Sequence, residues 1–125
     1  MVTQERSEAF IKSWTGAWNN RDIEAVMSHF SDDIENSTPL VRSLLGIESG
    51  TINGAKTVST FWKQIMDTYP EMSIRAIKCW YGIGLLSVHW EVITAKANGK
   101  TKDGNDTFFF NKDHKVYKVV TTHAV

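Results

Sequence analysis

A chain of 125 residues, 42% hydrophobic, suits one domain spanning residues 1–125 with a real core. Its 14 basic and 14 acidic side chains cancel, which argues against nucleic acid as a partner, because phosphate binding wants a basic surface. No run of about 18 apolar residues offers a membrane span, and the polar start MVTQERSEAF lacks the apolar stretch of a secretory leader.

The single cysteine, Cys79, cannot form an internal disulfide, so a reduced, cytoplasmic protein is expected. Five tryptophans, Trp14, Trp18, Trp62, Trp80 and Trp90, are many for this length. Each buries a large ring and wants a partner for its N–H. Core packing, a ligand pocket or an association surface would each use them.

The first half has helical periodicity. Phe10, Ile11, Trp14, Ala17 and Trp18 fall on one face of a helix that Thr3 can cap. Asp22 can cap a second helix carrying Ile23, Val26, Met27 and Phe30, with His29 on its surface and SDD ending it. IENSTP is a short extended segment, because Pro39 disfavours helix at Thr38. Residues 40–53 carry two glycines and little period and are expected to be loop. Val58, Phe61, Trp62, Ile65, Met66 and Tyr69 define a third helix, stopped by Pro70.

The second half is rich in β-branched and aromatic residues. MSIRAIKCW, IGLLSVHWEVITAKA, NDTFFFN and KVYKVVTTHAV are predicted strands. NGK and KDGN separate the second and third, and NKDHK the third and fourth. Such hairpin spacings predict an antiparallel sheet. Helices followed by a curved sheet make an α+β domain.

Asp106 stands two residues before three phenylalanines. Taking a carboxylate out of water is costly unless it is paired or protonated. It therefore either faces solvent on the first turn of its strand or sits deliberately in a dry cavity. Alternation puts Asp106 on one face with Phe108 and Phe110, and Val119, Thr121 and His123 on one face of the last strand. His89 and Glu91 also share a face, opposite Val88, Trp90 and Val92. They join a polar pocket if that face is concave and form the wet side of the sheet if it is not. No His or acid spacing matches a tight metal motif and GIESGTING matches no phosphate loop, so neither metal nor cofactor is expected. Cys79 has no activating neighbour in sequence and reads as an inert strand residue.

WTGAWNNRDIEAVMSHFSDDIENSTP, GTINGAKTVSTFWKQI and GNDTFFFNKDHKVYKVV resemble the nuclear transport factor 2-like superfamily, within it the SnoaL-like cyclases and ketosteroid isomerases. The resemblance covers nearly the whole chain and implies a cone-shaped α+β barrel: three N-terminal helices packed on a strongly curved antiparallel sheet, with a pocket between them. The isomerases use a tyrosine, a general-base aspartate and a protonated aspartic acid. Their tyrosine falls here on Trp14, which cannot deliver a proton as a phenol does. Their base falls on Thr38, which is no base near neutral pH, and their oxyanion acid falls on Asp106. Steroid isomerisation by that mechanism is therefore not expected.

The resemblance does imply an apolar pocket with Asp106 as donor or base and His123, at its mouth, as its partner. Trp14, Trp18, Phe30, Thr38, Phe61, Phe108 and Val119 would line it. The ligand would be a small apolar or carbonyl-bearing molecule, and the chemistry proton transfer of isomerase, cyclase or dehydratase type. The alternative is a domain that only binds a ligand or only self-associates around a relic pocket. The resemblance further implies a homodimer formed through the outer face of the sheet, for which Trp80 and Trp90 supply aromatic surface.

Overall fold

The computed structural model describes residues 2–93 and 101–124. In chain order the elements are α1 (Gln4–Asn19), α2 (Ile23–Met27), β1 (Phe30–Ser37), α3 (Pro39–Leu45), β2 (Thr51–Asn53), α4 (Ala55–Thr68), β3 (Ser73–Gly82), β4 (Leu85–Ile93), β5 (Thr101–Phe110) and β6 (Val116–His123). The strands form one curved, unclosed sheet in the order β2-β1-β6-β5-β4-β3. Helices pack on its inner face, giving the mixed α+β cone. Every neighbouring pair is antiparallel except β1 and β6, which run parallel. Hairpin spacings cannot reveal that pair, because its strands lie at opposite ends of the sequence.

α1 follows its periodicity. The Thr3 hydroxyl accepts from the Arg6 N–H at the N-terminus, and Phe10, Trp14 and Ala17 are buried. Asp22 caps α2 as its sequence suggests, accepting from the Ala25 N–H. α2 is shorter than the spacing predicts and ends at Met27, and Phe30 opens β1 instead. The reason is tertiary. Phe30 lies opposite Val116 in the parallel pair, and the Val116 N–H donates to the His29 carbonyl. Phe30 is buried from a strand, its ring 4.9 Å from that of Trp62.

Residues 40–53 are not loop. Thr38 is extended, as expected before proline, but its hydroxyl accepts from the Leu40 N–H and caps α3 with Pro39 in the first turn. Proline is well placed there, its missing N–H being one no helix uses. Gly46 closes α3 in the left-handed conformation at φ 69°. β2 then pairs with β1, Glu35 to Ser37 lying opposite Asn53 to Thr51. There are thus four helices among the described residues rather than three. α4 ends at Thr68, two residues before Pro70.

β5 begins at Thr101, so KDGN belongs to the strand rather than a turn. A methyl group at Gly104 would lie 2.3 Å from the Trp90 ring, so only glycine lets that indole lie against the strand. The expected extension of β4 to Ala97 and the NGK turn fall outside the described residues. NKDHK forms the β5–β6 turn as expected. Asn111 Oδ1 accepts from the backbone of Asp113 and Lys115 there, and His114 takes a positive φ of 60°.

The core joins helices to sheet through aromatic edges. Phe108 is 1% exposed, its ring 4.9 Å from Phe10 and 5.1 Å from Trp14. Phe61, Ile65 and Met66 of α4 and Ile34 of β1 complete it. No helix among the described residues is long and apolar enough to cross a membrane.

Candidate functional site

The inner face of the sheet is read in rows across its strands. Val88 lies opposite Asp106, and Asp106 opposite Thr121. The next row carries Trp90, Gly104 and His123, and the row on the other side Leu86, Phe108 and Val119. Asp106 therefore faces the helices, not water, and is 8% exposed.

The Thr121 hydroxyl donates to Asp106 Oδ1 at 2.5 Å. Among the described residues no basic side chain pairs with the carboxyl. Burial pushes its pKa up to about 6, against the opposing effect of hydrogen bonding from Thr121 and then from the Trp90 indole. The Trp90 N–H is buried and makes no fully formed hydrogen bond.

His123 is on the same face, with its ring edge-on to Trp90 at 5.9 Å. It is exposed. Partial burial, and then Lys102, hold its pKa below the usual histidine range. No hydrogen bond joins it to Asp106 among the described residues. The partner that the carboxyl does have is Thr121, which sequence alternation placed on this face but to which no role was given.

His89 and Glu91 point to the opposite, outer face. His89 Nε2 is 3.0 Å from Asp103 Oδ2, and Glu91 pairs with Arg75. Asn105 donates to Ser87 beside them at 2.9 Å. This is the wet side of the sheet.

The expected lining residues are all brought to the inside. Trp14, Phe30, Phe61, Phe108 and Val119 belong to the core, and Trp18 is half-buried against Trp62 at 5.9 Å. The Trp18 indole N–H is buried without a hydrogen-bond partner. Thr38 is buried, but its hydroxyl is occupied in capping α3. Two clefts, of about 510 and 420 Å³, run alongside α1, and none of these seven residues lines either of them.

Sequence reasoning missed Asn36. It is 1% exposed, accepts from the Trp62 indole at 3.1 Å and donates to the Val119 carbonyl at 3.4 Å. Its two-residue spacing from Ile34 within the extended segment IENSTP was a usable signal. Among the described residues no group of three His, Cys, Asp or Glu side chains is placed to hold a metal ion.

The helices, the curved sheet and the inward carboxyl define a domain of the nuclear transport factor 2-like superfamily. Residues 11–119 match the SnoaL-like domain, and the chain belongs to that family. A SnoaL-like protein of unknown function from Burkholderia thailandensis is 27% identical, with 99% of this chain and 98% of that one covered and a TM-score of 0.90. A candidate isomerase of the SnoaL-like family from Agrobacterium tumefaciens is 13% identical, covering 98% and 100%, at a TM-score of 0.77. An NTF2-like protein of unknown function from Cytophaga hutchinsonii is 12% identical, covering 99% and 95%, at 0.72. No curated protein matches the chain.

Proposed function

We propose that the domain binds a small, largely apolar carbonyl compound at Asp106 and moves a proton next to the carbonyl. The observation that carries this reading is a buried carboxyl with a hydroxyl donor, no basic partner among the described residues, and a pKa raised to about 6. At neutral pH such a group is mainly ionised, yet more basic than an ordinary carboxylate, which suits a general base. The family likeness to a candidate isomerase points the same way. Trp90, and Trp18 further along the cone, hold buried indole N–H groups that a carbonyl oxygen could accept from. His123, beside Trp90, would take part as a second proton-transfer group at the mouth. Trp14, Phe30, Phe61, Phe108 and Val119 would form the apolar wall, with Trp18 and Thr38 at its edges.

The test is deuterium wash-in next to the carbonyl of a panel of apolar ketones. Catalysed exchange by the wild type, at least about tenfold slower in Asp106→Asn, is expected from the usual size of general-base effects. In parallel, the Trp18 and Trp90 indole N–H resonances should move on ligand addition. Exchange no faster than buffer, with unmoved indole signals, would sink the proposal. It would leave the second reading, a module without a ligand, which the close aromatic packing of Trp14, Phe30 and Phe108 favours.

We also propose that the protein is a homodimer formed through the outer face of the sheet. Trp80, 51% exposed and opposite Ser87 on that face, supports it. Trp90 drops out of that argument, since it is buried on the inner face. Sedimentation at micromolar concentration should give twice the chain mass of 14.2 kDa. A single species at the chain mass would overturn the proposal.

A further inference from the structure

The cleft beside the N-terminal half of α1 is unrelated to Asp106. We propose that it is a second binding site, for an elongated small molecule with a carboxylate at one end, a hydroxyl at the other and an apolar body between. Its volume is about 420 Å³, within the range of small-molecule sites. Phe108, whose ring touches both Phe10 and Trp14, stands between it and the Asp106 row.

Three features fix the chemistry. The first is an unneutralised cation. Arg6 lines the cleft, and its Nη1 lies against the His114 ring, 2.7 Å from Nδ1 and 2.5 Å from Nε2. No carboxylate pairs with Arg6 among the described residues, and no acidic side chain lines the cleft. Asp113 is near enough to His114 to act on it, but sits on the turn outside the lining. The His114 turn is held by Asn111, so the cationic end is in place before any ligand arrives.

The second feature is a neutral hydrogen-bonding pair at the other end. Ser13 Oγ is 2.9 Å from His29 Nε2. Burial, then the Lys115 ammonium, hold the pKa of His29 below the usual range. Ser13 stands seven residues beyond Arg6, or about 10 Å along the helix. The third feature is the floor between the two ends. Phe10 packs edge-on against Phe110 at 5.3 Å and against His29 at 5.1 Å.

The guanidinium fork of Arg6 matches a carboxylate. The distance between the two polar ends sets the length of the occupant, and the phenylalanine floor sets its apolar middle.

The probes are para-hydroxyphenylpropionate, phenylpropionate, acetate and inorganic phosphate, each titrated into the labelled wild-type protein and followed by its backbone amides. The hydroxylated acid should saturate, moving the amides of Arg6, Phe10 and Phe110. Phenylpropionate should bind about fivefold more weakly, the loss of one neutral hydrogen bond. Arg6→Gln should weaken both by about tenfold or more, the loss of a charge-assisted pair. Ser13→Ala should abolish the preference between the two acids while retaining carboxylate binding. Asp106→Asn should leave every affinity unchanged, which separates this site from the core site. Both α1 substitutions are at exposed positions, so they should fold, as circular dichroism would verify. Failure of the hydroxylated acid to saturate by about 20 mM, well below the affinity of a usable site, overturns the proposal. So does an unaltered affinity in Arg6→Gln. Phosphate binding as tightly as the acids overturns the carboxylate assignment.

Discussion

Trp14→Ala is expected to lower the free energy of unfolding by about 3–5 kcal/mol, the usual range for removing a buried aromatic ring. Trp14 is 4% exposed and meets Phe108 edge-on at 5.1 Å. Phe108 is itself clamped by Phe10 and touched by Phe30. Removing the indole takes one wall from this cluster. The remaining rings stand on α1, β1 and β5, which are fixed by their own hydrogen bonds, so they cannot collapse fully into the space. Urea unfolding of the two proteins under identical conditions measures the difference. A change under about 0.5 kcal/mol, typical of surface positions, would show that α1 does not bury this face.

Asp106 should give the wild type a pH dependence that Asp106→Asn lacks. Its folded pKa of about 6 lies above its ordinary value of 3.8. The native state therefore holds the proton more tightly than the unfolded chain does. The sign follows: below about pH 4 both states are protonated and the wild type suffers no penalty. Stability then falls as pH rises towards 6 and levels off above it, by roughly 3 kcal/mol in all. Asparagine keeps an oxygen for Thr121 to donate to and never ionises. Any fixed effect of its amide is the same at every pH. The stability difference between wild type and variant, from urea midpoints between pH 4 and 8, should thus shift against the wild type across pH 4–6. A flat difference would show that Asp106 ionises as an exposed acid does. Following its carboxyl carbon by NMR gives the same answer directly.

Some of this was written locally. The 3.6-residue spacing of Phe10, Trp14 and Ala17 and the Thr3 and Asp22 caps place α1 and α2, because capping and amphipathicity act within one or two turns. Two-residue alternation placed Asp106, Phe108 and Phe110 together, and Thr121 and His123 on one face, because a strand offers only two faces. The likeness in NDTFFF and its surroundings extended these local facts to a whole cone.

What only the tertiary structure decided was pairing between distant segments. Phe30 fits the helical spacing of Ile23, Val26 and Met27, yet its parallel partner Val116 lies near the other end of the chain and draws it into a strand. KDGN has every mark of a turn, but Gly104 is there so that Trp90 can lie on β5. Alternation alone left His89 and Glu91 with two possible sides. The register Val88 to Asp106 assigns the inner face to Val88 and Trp90 and so sends His89 and Glu91 outward. The same holds for the carboxyl's partner. His123 was the chemically conspicuous residue, but cross-strand register places Thr121, two residues earlier, directly opposite Asp106. A sequence lists side chains with proton-transfer chemistry. Which of them share a dry space depends on register and curvature, and those are set by the packing of the whole sheet against α1 and α4.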